Sequence, residues 1–175
     1  MSETGVWTVV HGMVFGSIFL LGFSAGFVAL FSLRTEWTTE EGRAVRARRL
    51  PIYAWIMAAS LWLTVLSGAL MVYPTYRARP PEGTSDLTEF PQAFLLSDTT
   101  LEVWHEFGME WKEHVAWLAA ILATVAAFIV TRYRGQLGED TEIRKATIRL
   151  YCLAFIAAGT AGLFGALINK AAPIP

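Results

Sequence analysis

Apolar residues in this chain come in blocks rather than in strict alternation. Four blocks approach the roughly 20 residues that a helix needs to cross a ~30 Å hydrocarbon core. They predict membrane helices over about 6–33, 51–73, 100–131 and 148–169. The first runs from Val6 to Leu33 and the second from Pro51 to Tyr73, both without a charged side chain. The third has its apolar part at Val115–Val130, behind a polar lead-in rich in Trp and Glu. Thr99 followed by Glu102 has the spacing of a capping box, so this lead-in is expected to be helical from its first residues. Gly108 is a point where it could break. The expected fold is all-α: an integral membrane four-helix bundle, one transmembrane domain over residues 1–175, with an outer loop at 74–99.

Charge then orients the spans. Arg34, Arg43, Arg46, Arg48 and Arg49 follow the first block; Arg132, Arg134, Arg144, Lys145 and Arg149 follow the third. These are ten of the 14 basic residues, and such loops stay on the cytoplasmic side. Both termini and the Pro-rich, acidic loop from Pro74 are therefore expected outside, in a plasma or inner membrane. The first block has no basic residue before it and is long for a signal peptide, so it reads as a retained anchor. Net charge is −1, which gives no bulk attraction for nucleic acid. The single Cys152 excludes a disulfide within the chain and any paired-cysteine metal site.

Candidate chemistry is confined to one end. His11, His105 and His114 all lie near the outer ends of the first and third spans, and the spans hold no Asp, Glu, Lys or Arg deep in the core. A pathway across the whole membrane lacks relay residues; a site near one face fits better. Two histidines from different helices of a bundle are what haem iron takes as axial ligands. Gly22, Gly26 and Ala29 share the face of His11, with Gly12 and Gly16 beside it; they make room for a macrocycle or for a close-packed helix. His105 and His114 are nine residues apart, on opposite faces of a straight helix and about 13 Å apart along it. Depth favours His114 as the partner of His11. Face favours His105, which shares a stripe with Lys112, Ala116, Ala119, Ala123 and Ala127.

Met13 and Met71 offer a His/Met alternative. Glu102-Val103-Trp104-His105 has the Glu-x-x-His spacing of di-iron sites, but no second copy exists. Trp7, Tyr73, Trp104, Trp111 and Trp117 form an interfacial aromatic belt, and Glu110 stands where it could accept a hydrogen bond from a quinol. His11-Gly12-Met13 opening a glycine-rich span resembles the histidine-bearing helices of small membrane b-type cytochromes. That resemblance covers one helix and a layout. It implies one haem b at most, because the second and fourth spans contain no histidine. The function expected from it is a cytochrome subunit carrying electrons near the outer, periplasmic face, between quinol and a partner in a membrane redox complex. The rival is a non-redox accessory subunit of a larger membrane complex.

Overall fold

The computed structural model describes residues 2–34 and 37–174. Four long helices dominate it: α1, Glu3–Phe31; α2, Glu40–Tyr76; α4, Trp104–Tyr133; and α5, Thr141–Ala171. Each is long and apolar enough to cross a membrane. A short helix, α3 (Pro91–Leu96), lies in the loop between α2 and α4. No strand occurs among the described residues.

The helices run further than the apolar blocks, because good caps lie beyond those blocks. Ser2 caps α1 by accepting from the Gly5 amide, and Thr39 caps α2 by accepting from Gly42. Asp140 caps α5 through the amides of Glu142 and Ile143. Pro51, expected at a helix start, therefore sits inside α2. Before α4 the cap is not the expected Thr99–Glu102 box. Asp98 takes the role, its carboxylate accepting from the backbone and hydroxyl of Thr100, both at 2.7 Å. Gly108 does not break α4; it lies in a π-helical segment, Trp104–Met109.

Long-range contacts place the helices in a ring, α1–α2–α4–α5, with neighbours antiparallel. Trp55 and Trp62 of α2 donate indole hydrogen bonds to Thr131 and Thr124 of α4, at 3.0 and 2.9 Å. The descending partner numbers show the antiparallel run. Phe23 of α1 stacks on Phe155 of α5 with centroids 4.2 Å apart, and the Tyr151 ring fills the space beside Gly26. Gly22 meets the backbone of Met57, whose N lies 2.9 Å from where a Cβ would stand. The small residues on the His11 face thus serve close packing. Gly12 and Gly16 face open space.

The main apolar core runs through the bundle from Leu33, Leu50 and Leu137 at the arginine end to Phe19, Val65 and Ala119. A second, smaller cluster of Tyr76, Leu95, Met109, Ile168 and Ala172 closes the opposite end. Arg144 braces the turn between α4 and α5, donating to the carbonyls of Leu137 (2.9 Å) and Gly138 (3.1 Å).

Candidate functional site

A polar layer lies between the two apolar clusters, and it contains the first of the predicted site residues. His11 belongs to a π-helical segment of α1, Val10–Val14. Its ring lies against Gly68 of α2, with Cε1 2.6 Å from where a glycine Cβ would be. His11 Nδ1–H donates to the Thr64 carbonyl at 2.7 Å, and Ser67 Oγ lies 3.4 Å from the same nitrogen. That bond fixes the tautomer and leaves Nε2 as the free lone pair. Ser67 is itself oriented by donating to the Leu63 carbonyl at 2.6 Å.

Lys112 reaches into the same layer from α4. Its Nζ is 3.3 Å from the Cβ position of Gly165 on α5, and its charge acts on His11. Next to it, Glu113 is close enough to act on Tyr73 and Tyr76, and its Oε1 is buried without a hydrogen bond. An ammonium and a carboxylate drawn into the outer part of an apolar bundle mark a site by default.

His105 occupies a second tier, seven residues outward of Lys112, or about 10 Å along the helix. It is buried, and both ring nitrogens are engaged: Nδ1 with Tyr76 Oη at 2.8 Å and Nε2 with Gln92 Nε2 at 3.1 Å. With the Gln92 amide donating, His105 carries its proton on Nδ1 and donates to Tyr76. The triad ties α2, α3 and α4 together, so the loop helix is pinned onto the bundle as a cap.

His114, two residues inward of Lys112, is exposed. Positions two apart on a helix differ by about 200°. With Lys112 directed inward, His114 faces out, donating from Nδ1 to the Glu110 carbonyl at 2.6 Å. The structure therefore does not bring the three histidines together. His114 is exposed, whereas His105 is engaged at both ring nitrogens. Met13 and Met71 are exposed. No group of three or more His, Cys, Asp or Glu positioned to hold a metal occurs among the described residues.

Sequence reasoning did not single out Thr64, Tyr76 or Gln92. The inward turn of Lys112 had a signal, since Lys112 heads the alanine stripe that packs in the core. All three π-helical segments among the described residues, Val10–Val14, Gly68–Val72 and Trp104–Met109, lie at this end of the bundle. Such segments are frequent at functional sites. No protein-family model matches the chain, and neither does any curated protein or solved structure.

Proposed function

We propose that the chain is a non-redox accessory subunit of a larger membrane complex, docking its partners through the cap at the histidine end. The observation that carries this reading is the Gln92–His105–Tyr76 triad. It holds α3 and the start of α4 in a fixed arrangement beyond the main core. On that rigid cap stand Leu96, Val103 and Phe107, 44%, 52% and 55% exposed, beside the acidic Glu102 and Glu106. A fixed apolar patch with an acidic rim has the composition of a docking surface. The basic asymmetry of the loops supports a placement of this cap, and of both termini, outside a plasma or inner membrane.

A second reading, the single-haem cytochrome subunit passing electrons from quinol to a partner redox protein, is favoured by one specific observation. His11 and His114 each spend Nδ1 on a backbone carbonyl and keep Nε2 free. That is the hydrogen-bonding state of a metal-bound imidazole. This reading needs α4 to turn about its own axis, or a partner to supply the second ligand. Bound there, the haem would supply one-electron transfer.

One preparation separates the two. The chain is solubilised in mild detergent from its native membrane, sized by native mass spectrometry, and scanned oxidised and dithionite-reduced. The docking reading expects a complex larger than the 19.4 kDa chain that is lost in Val103→Asp/Phe107→Asp, with no α-band. A reduced α-band lost in His11→Ala supports the cytochrome. A monomer without a spectrum overturns both.

A further inference from the structure

The groove between α1 and α2 at the arginine end is a site of a different kind. Its volume is about 840 Å³, within the ~300–1,000 Å³ typical of small-molecule sites. The groove exists because its walls are short: Ser24, Ala25, Ala29 and Ser32 on α1 face Gly42 on α2, and none has a side chain that fills it.

The cationic wall comes from α2. Gly42, Arg46, Arg49 and Tyr53 recur at intervals of four, three and four, so they form one stripe along the groove. Arg46 curls back over the first turn of α2, its Nη1 3.6 Å from the Cβ position of Gly42. That nitrogen is buried and makes no hydrogen bond. A buried guanidinium N–H without an acceptor costs free energy, and an oxyanion in the groove removes that cost. Glu41 also lines the groove, so the two arginines carry a net single positive charge there. That balance matches a phosphodiester with one negative charge. Toward the bilayer centre the lining turns apolar, through Val28 and Ala25.

We propose that this groove binds one anionic glycerophospholipid of the phosphatidylglycerol class. Its phosphate pairs with Arg46 and Arg49, and an acyl chain lies along Ala25 and Val28. Tyr53 stands at the level where headgroup and chain meet. The inference rests on α1 and α2 lying in a bilayer, and is independent of what docks at the opposite end.

The test is native mass spectrometry of the detergent-solubilised chain titrated with phosphatidylglycerol, with phosphatidylcholine, and with glycerol phosphate as a soluble competitor. Phosphatidylglycerol is expected to be retained preferentially, with each arginine contributing about fivefold. Arg46→Gln/Arg49→Gln is expected to lose the preference. Ala25→Phe, which fills the groove without touching a charge, is expected to block retention. Arg48→Gln, outside the groove, is expected to leave it intact. Equal retention of the two lipids, or an unchanged preference in both groove variants, overturns the site. Displacement by glycerol phosphate also overturns it, because the occupant is then a soluble anion. Retention of neither lipid overturns the site as well.

Discussion

Gly22 and Gly12 lie ten residues apart on α1, and only one is structurally demanding. A methyl group on Gly22 meets the Met57 backbone at 2.9 Å, whereas one on Gly12 meets nothing within 4 Å. Gly22→Ala is expected to destabilise the bundle by about 1–3 kcal/mol through overpacking. Gly12→Ala is expected to be neutral or to stabilise by roughly 0.5–1 kcal/mol through helix propensity. Thermal unfolding in detergent reads both. The histidines divide the same way. His105→Ala leaves Tyr76 Oη and Gln92 unpaired in a buried place, at about 1–3 kcal/mol, and should open the cap to protease between Arg77 and Phe90. His114→Ala removes an exposed ring and should stay within about ±0.5 kcal/mol. Depth in the sequence points to His114 and helical face to His105, since the two are separate coordinates. The alanine stripe below His105 is the signal that matches its burial.

At the scale of elements, the four spans were legible because apolar blocks of this length have few other uses. Their ends were not, because caps outside the blocks extended α2 to Thr39 and α5 to Asp140. The start of α4 shows how one side chain sets such an end. The hydroxyl of Thr100 and then its backbone N–H hold the Asp98 carboxyl below the usual carboxylate range; the backbone and then the hydroxyl of Thr88 do the same for Asp86. A depressed folded pKa means stability that is fully present above the unfolded value of about 3.9 and is lost as pH falls through the folded value. Amide exchange at Thr100 is therefore expected to stay slow from neutral pH to about pH 4 and to quicken below it. Asp98→Ala should remove that acid limb. The Pro81–Thr84 turn in the same loop, closed by Thr84 N–H to the Pro81 carbonyl at 3.2 Å, places Gly83 at φ +83° and resists substitution there.

For the whole molecule, the ring of antiparallel neighbours puts both termini at the histidine end and both arginine-rich turns at the other. In a Cys152→Ser background, Ile174→Cys is expected to react with an impermeant maleimide from outside intact cells, and Gly135→Cys only after permeabilisation. The reverse pattern overturns the orientation. The ring places α1 and α4 on a diagonal. It does not place their histidines face to face. The polar layer of His11, Ser67, Lys112 and Glu113 was the least legible feature, because it is assembled from three helices and nothing local marks its members as neighbours.

The π-helical segment Gly68–Val72 lies between the two histidine tiers on α2: Gly68 backs His11, and Tyr76 binds His105. A π-turn is one residue of surplus in an α-helix, worth about 100° of phase. That surplus makes the upper tier's azimuth independent of the lower one's. Deleting a single residue, such as Leu70, would let α2 close into regular α-helix and leave His11 seated on Gly68. It would swing Tyr76 about a quarter-turn away from His105. The cap's attachment to the bundle is thus encoded as an insertion, in the length of the chain rather than in the identity of any side chain.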